Sequence, residues 1–478
     1  MLWLCIHLSR LPLEIFMRGS EDDYPLVVHC GAAGRPRVVA ANASAAVAGI
    51  KPGLALAAAR ALHTGLRAHP RDQNAERRAL ESTAAWCGQF TSMVSLVSPD
   101  VVLLEIGGSL KLFGGFNQIL SELKAGLDQL GYQVQLASAP TPLAAEWLAR
   151  QQGNIFLDGF GKLVRTLSQL PVSALASDSN VQDRLAGMGL RQLGDVLRLP
   201  RDGLARRFGT DMLLRLDRAL GRVPDPRLHF VIPSRFTGQL LLPAEVDSTE
   251  ALLFAVQRLV RELSGVLRAR VAGVRAMSLQ LVHGPTSVTS VQVGMVVPAR
   301  NEKHLFELLK ARLESVQLSA PVHEIRLLTD TLAFCKAPHQ DLFADAVVET
   351  EAPEVLIERL NARLGDEAVQ GIKVYADHRP EFAWRWSVPG EESIQPIPVR
   401  RPLWLLAEPK VLKTHQGRPC LQQVLQLWPG RERIESGWWD GRDIRRDYFV
   451  AQDQDGMRYW IFRELSEPRR WFLHGVFG

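Results

Sequence analysis

Two carboxylates open the question of what chemistry this sequence could do. Asp100 stands at the leading edge of a short apolar run, residues 101–106, and Glu105 follows inside that run. A carboxylate so placed can hold magnesium, which takes oxygen ligands and usually binds through one or two carboxylates together with substrate phosphates. Whether such a site could work depends on how many carboxylates the neighbouring elements bring to it.

Those elements can be read from pattern. Residues 101–106 are bounded by Pro99 and by Gly107-Gly108, as in a buried central strand that ends in a tight turn. Residues 110–113 read as a second strand, so that 97–113 forms a hairpin, and the Gly114-Gly115 break leads to a helix over 118–130. Upstream, residues 2–8 read as a first strand stopped by Pro12, and 24–29 with 38–40 as a strand pair. Ala-rich helices over 43–49 and 54–62 follow, then an amphipathic helix over 71–90 with Ala75, Ala79, Ala84, Trp86 and Phe90 inward. A strand over 132–137 and a helix over 142–151 complete an α/β layer with a mixed sheet.

Bulk properties narrow the class. A length of 478 residues suggests roughly three or four domains. An apolar fraction of 46% is ordinary for a globular protein with sizeable cores. A net charge of +5 and a pI near 9.0 permit contact with nucleic acid. Cys5, Cys30, Cys87, Cys335 and Cys420 are scattered without a C-x-x-C pair, which argues against a disulfide framework or a zinc site and fits a reducing cytoplasm. The opening residues meet Arg10, Pro12 and Glu14 too soon for a signal peptide, and no run of about 18 apolar residues suggests a membrane span. The phosphate-cradling pattern G-x-x-x-x-G-K-[ST] does not occur.

Three further stretches are candidates for binding. In residues 184–199 the pattern G-M-G-L-R-Q-L-G-D-V-L looks like a helix-hairpin-helix, whose turn glycines, here Gly187 and Gly189 beside Arg191, expose backbone N–H groups to a DNA phosphate. Residues 182–222 hold nine arginines against five aspartates. Residues 237–334 read as α+β: a helix after Asp247 with an inward stripe of Leu252, Val256, Leu259, Leu263 and Leu267, two alternating strands, and a second helix capped by Asn301. Arg258 and Arg261 decorate the outer side of the first helix as a candidate nucleic-acid surface. Finally, eight of the eleven tryptophans lie at or after Trp384, including the Trp438-Trp439 pair, a candidate partner surface.

Together these stretches resemble the Y-family (translesion) DNA polymerases, and within that family the catalytically deficient ImuB type. The resemblance is carried by M-L-W-L-C-I-H-L-S-R-L-P-L-E, S-P-D-V-V-L-L-E-I-G-G-S-L-K-L-F-G-G, A-P-T-P-L-A-A-E-W-L-A-R and R-I-E-S-G-W-W-D-G. It implies a multidomain α/β and α+β right hand with an aromatic-rich tail. A palm with inserted fingers (about 12–75) would span 1–168, a helix-hairpin-helix thumb 169–232 and a little finger 233–335. A linker would follow over 336–390, and a partner-binding region over 391–478.

The departures from the active family matter most. Active members open the first strand with Asp-x-Asp-x-Phe, where this chain has His7 and Ser9. They carry Ser-x-Asp-Glu on the central strand; Ser98 and Asp100 remain, and Val101 replaces the glutamate. Their fingers present Tyr-x-x-Ala-Arg to the triphosphate, and the matching stretch is Ala43-Ser44-Ala45-Ala46. One aspartate cannot position two dications about 4 Å apart. The resemblance therefore implies no catalytic residues, no cofactor, and His7, Ser9, Asp100 and Val101 as vestiges. Magnesium enters only under the alternative of a low-efficiency polymerase using Asp100 with Glu105 or Glu14.

What the resemblance leaves is an adaptor for DNA damage tolerance in a bacterial mutasome. Its implied partners are primer-template DNA, the sliding clamp, an ImuA-like RecA-related protein and an error-prone replicative-type DNA polymerase. Its implied setting is the SOS response, in the cytoplasm at the nucleoid. The segment His339-Gln340-Asp341-Leu342-Phe343 resembles the clamp-binding pentapeptide, with His339 in place of its usual glutamine.

Overall fold

The computed structural model describes residues 1–19, 24–31, 35–175, 179–330, 332–334, 353–365, 368–389, 391 and 401–477. The chain divides into two compact units, residues 1–363 and 364–478.

The first unit starts from a five-stranded mixed sheet in the order Val94–Val97, Val101–Glu105, Trp3–His7, Gln135–Ala139, Ile155–Phe156. Side chains alternate across its strands. Leu4, Ile6, Val102 and Leu104 face a core shared with the helices Gln73–Cys87 and Phe116–Gln129. Trp3, Cys5, Val101 and Leu103 face the helix Pro142–Gln151. Trp86 fills a notch made by two glycines on neighbouring helices: a Cβ at Gly126 would lie 2.4 Å from its ring, and one at Gly265 would lie 2.1 Å from it.

The hairpin is not the expected one. Residues 110–113 form turns rather than a strand. Gly114 and Gly115 adopt φ of +77° and +118°, while Leu110 and Phe113 tuck against the core and Leu112 is exposed. The partner of Val101–Glu105 on that side is Val94–Val97, joined through Ser98-Pro99-Asp100. A small satellite sheet pairs Leu26–Cys30 antiparallel with Arg37–Ala41, as expected, and parallel with Arg67–Pro70, a strand the pattern did not suggest.

Short helices follow, including Ser179–Gly187, Leu193–Leu197, Arg201–Phe208 and Thr210–Ala219. Next comes a five-stranded antiparallel sheet in the order Val288–Ala299, Ala272–Val282, Val322–Thr329, Thr237–Val246, with Ala333–Phe334 pairing Ala272–Val282 off this path. The sequence reading identified only the first two of these strands. The helix Thr249–Arg270 buries Leu252, Val256, Leu259, Leu263 and Leu267 as its spacing predicts. Asn301 caps the helix Glu302–Leu313 by accepting the His304 N–H at 3.1 Å. Within the stretch expected as a linker, the helix Pro353–Leu364 joins this body: buried Glu358 accepts the Val296 N–H at 2.7 Å and lies 2.5 Å from His304 Nε2.

The second unit is strand-rich. A seven-stranded sheet is built from Trp404–His415, Arg418–Cys420, Gln426–Leu427, Glu432–Ser436, Ile444–Gln452, Arg458–Glu464 and Trp471–Val476. Tyr448, Trp460 and Phe462 form one of its cores. Ile444–Gln452 and Arg458–Glu464 form a hairpin around D-Q-D-G. Gly371–Val374 and Trp384–Ser387 form a separate two-stranded ribbon. No helix among the described residues is long and apolar enough to cross a membrane.

Candidate metal centre

The first strand and the central strand run antiparallel with His7 opposite Val101, so the two residues are cross-strand neighbours beside Asp100. The Leu8 N–H donates to the Asp100 carbonyl at 2.8 Å, which fixes the Asp100 backbone against the end of the first strand. Strand register therefore gives Asp100 an imidazole and an isopropyl group as neighbours. Ser9 is exposed beyond the strand end.

Both carboxylate oxygens of Asp100 face a basic side chain. Oδ2 lies 3.3 Å from His7 Nε2, and Oδ1 lies 2.8 Å from Arg150 Nη1. The other ring nitrogen of His7, Nδ1, is 3.0 Å from Gln135 Oε1. Arg150 comes from the last turn of Pro142–Gln151, where its Nε donates to Glu146 Oε1 at 3.2 Å. Glu146 is in turn 3.7 Å from Arg227, whose other side pairs with Asp225 at 2.7 Å. The result is a line of alternating charge: Asp100, Arg150, Glu146, Arg227, Asp225. Partial burial pushes the Asp100 carboxyl up, but the His7 hydrogen bond and the Arg150 charge outweigh it and hold it below the ordinary value. Cys5, buried beneath this line, has its thiol pushed well up by desolvation and then by Glu146.

The alternative ligands are not brought to Asp100. Glu105 lies opposite Trp3, four positions along from the His7–Val101 pair, or about 13 Å at strand spacing. Its Oε1 accepts the Leu2 N–H at 2.9 Å and the Gly107 N–H at 3.2 Å. Glu14 is buried, and its Oε1 accepts the Gln133 N–H at 2.7 Å. Desolvation pushes its carboxyl up to about 7, against the opposing pull of that hydrogen bond, Arg18 and Arg10. Among the described residues, no group of three or more His, Cys, Asp or Glu side chains could hold a metal ion. A two-magnesium centre does not fit this donor set.

The matching fingers stretch lies in Ala43–Val47, where Ala43 and Ala46 are exposed and offer no group to a triphosphate. Gly187 and Gly189 flank an exposed turn, with Gly189 at φ +77°. The turn uses its own amides: Met188 donates to the Leu185 carbonyl, Gly189 to Ala186 and Leu190 to Leu185. The Arg191 N–H donates to Asp195 Oδ2 at 3.1 Å. Phosphate contact through these amides is therefore not available as it stands, and the basic side chains carry what attraction the region has. Arg191, Arg206 and Arg207 are exposed and make no ion pair with a described residue.

Arg258 and Arg261 do not form the expected outer surface. Arg258 donates to the Arg18 carbonyl and lies 4.1 Å over the Phe254 ring. Arg261 donates to Glu302 Oε1 at 3.0 Å and reaches the Gln129 carbonyl at 3.5 Å. Both tie Thr249–Arg270 to its neighbours. Beside them, buried Arg18 donates to Glu262 Oε2 at 2.9 Å, to the Leu130 carbonyl at 2.7 Å and to the Tyr132 hydroxyl, while Ser82 donates to Glu262 Oε1.

In the second unit Trp438 and Trp439 are 81% and 58% exposed, with rings 5.5 Å apart at 84°. The turn that presents them hangs on Arg379, which donates to Asp440 at 3.0 Å, to the Arg442 carbonyl at 3.2 Å and to Asp377 at 2.9 Å. Gly437 sits at φ +95° with the Arg442 carbonyl 2.4 Å from where a Cβ would be, so only glycine fits. The segment 339–343 lies outside the described residues.

The impB/mucB/samB family matches residues 20–150. The chain is 29% identical to Protein ImuB of Caulobacter vibrioides over 463 residues, covering 90% of this chain and 100% of that protein. It is 26% identical to DNA polymerase IV of a Marinomonas species over 206 residues, covering 42% of this chain and 58% of that one. The solved structure of DinB from Sulfolobus solfataricus matches over 70% of this chain and 100% of its own, at TM-score 0.39 and 15% identity.

Proposed function

We propose that this chain, a homologue of the ImuB-type Y-family polymerases, is a non-catalytic adaptor in DNA damage tolerance. The observation that carries the reading is the state of the palm: one carboxylate remains where two-metal chemistry needs several, and His7 and Arg150 stand against its two oxygens. Such a palm has no use as a nucleotidyl-transfer centre. The body around it is kept, which suits a protein that holds primer-template DNA while another polymerase extends it. Electrostatic attraction to the phosphate backbone is the expected basis of that contact, through exposed Arg191, Arg206 and Arg207.

The remaining assignments follow the same reading. The pentapeptide His339 to Phe343 docks on the sliding clamp, with Leu342 and Phe343 filling an apolar pocket. Residues 391–478 recruit a RecA-related protein and an error-prone replicative-type polymerase, with Trp438 and Trp439 as exposed anchors. The place of action is the nucleoid. The test is clamp binding by the full chain: Leu342→Ala with Phe343→Ala abolishes it and leaves the melting curve unchanged. Undiminished clamp affinity in that double variant removes the segment from the account.

A further inference from the structure

The Arg150 guanidinium is not a loose surface group. It lies 2.8 Å from Asp100 Oδ1, its Nε is held by Glu146 on the same helix at 3.2 Å, and Glu146 is itself 3.7 Å from Arg227. Side-chain exposures of 27% for Arg150 and 11% for Glu146 place the group in a part-buried seat. A guanidinium presents a planar fork suited to carboxylates, stays charged at any relevant pH, and loses little freedom when its stem is packed. A divalent cation approaching Asp100 must displace it or sit beside it, and a fixed positive charge within a few ångströms opposes the second course. His7 faces the other oxygen at 3.3 Å, and the permanent charge at the site is the guanidinium's.

From this geometry we infer that Arg150 is the group that keeps divalent cations out of the palm, standing where cation charge would otherwise collect against Asp100. The inference rests on the non-catalytic reading and deepens it. The absence of carboxylates at positions 7, 9 and 101 is then only part of what separates this palm from a metal-binding one. Introducing carboxylates at 7 and 101 on the two neighbouring strands does not create a site while the guanidinium remains.

The test is Mn²⁺ binding by the full chain, followed by electron paramagnetic resonance of the free ion. His7→Asp with Val101→Glu is compared with the same pair plus Arg150→Gln. The wild type and the double variant are expected to leave Mn²⁺ free at concentrations that load the triple variant. The gain should be at least about tenfold in affinity, the lower end of what groups around a metal site contribute. Because Val101 is fully buried and its replacement can compromise folding, His7→Asp is compared in parallel with His7→Asp/Arg150→Gln, which leaves that position alone. Equal Mn²⁺ affinity with and without Arg150 in either folded pair overturns the inference, as does failure of the Arg150→Gln variants to bind at all. Primer extension by the wild-type chain would instead overturn the non-catalytic reading, so the two failures are told apart.

Discussion

Asp100 Oδ1 and Arg150 Nη1 lie 2.8 Å apart, an ion pair built at the spot where a polymerase of this type would collect metal. The side chains are 23% and 27% exposed, so solvent screens the pair and its worth is modest. A double-mutant cycle with Asp100→Asn and Arg150→Gln, read by urea unfolding at neutral pH, should give a coupling of about 1 kcal/mol. The sign with pH follows from the lowered Asp100 pKa: the contribution is present above the ordinary value of 3.8 and is lost as pH falls through the folded value. A coupling that stays unchanged as Asp100 is titrated to its protonated form contradicts the assignment.

Arg18 and Glu262 join the first sheet's surroundings to the long helix at 2.9 Å, with side chains only 3% and 4% exposed. Removing one partner leaves a buried charge alone, whereas removing both does not. Glu262→Leu should therefore cost about 3–5 kcal/mol, and adding Arg18→Met should recover most of that. The measurement is urea unfolding of the three proteins; a double variant no better than Glu262→Leu speaks against the pair as the cause.

Glu14 supplies the opposite pH dependence. Its carboxyl is raised from 4.5 to about 7, so its contribution is full below the ordinary value and is lost as pH rises through the folded one. Glu14→Gln keeps an oxygen for the Gln133 N–H and cannot ionise. The variant should be stabilised relative to wild type by about 3 kcal/mol at pH 8, and by little at pH 5. A pH-independent difference would mean that Glu14 titrates normally.

The sequence made the poverty of the metal site legible because strand pairing is local in its logic: the residue types at 7, 9, 100 and 101 bound what can coordinate there. Arg150 was hidden because it arrives from a helix 50 positions further along the chain, through packing that no period announces. The one available hint was Glu146, four residues before Arg150 on a single helix face, a spacing that fixes a guanidinium. Arg258 and Arg261 misled for a related reason. Helical spacing places them off the apolar stripe, but their side chains end on the Arg18 carbonyl and on Glu302 rather than in solvent. Residues 110–113 have a strand's composition, and the glycine pairs on either side win, turning the chain before a ladder can form. The stripe of the helix Thr249–Arg270 was legible outright, since a period of 3.6 over that length has few other readings.

Primer extension by the purified full chain bears most directly on the central claim that the palm does no chemistry. The assay supplies all four dNTPs with Mg²⁺ or Mn²⁺, next to an Asp100→Ala control, and scores primer-template binding in the same samples. The expected result is measurable binding and no added nucleotide with either ion. Extension that disappears in Asp100→Ala would contradict the account, and would mean that Asp100 leaves His7 and Arg150 to hold a metal.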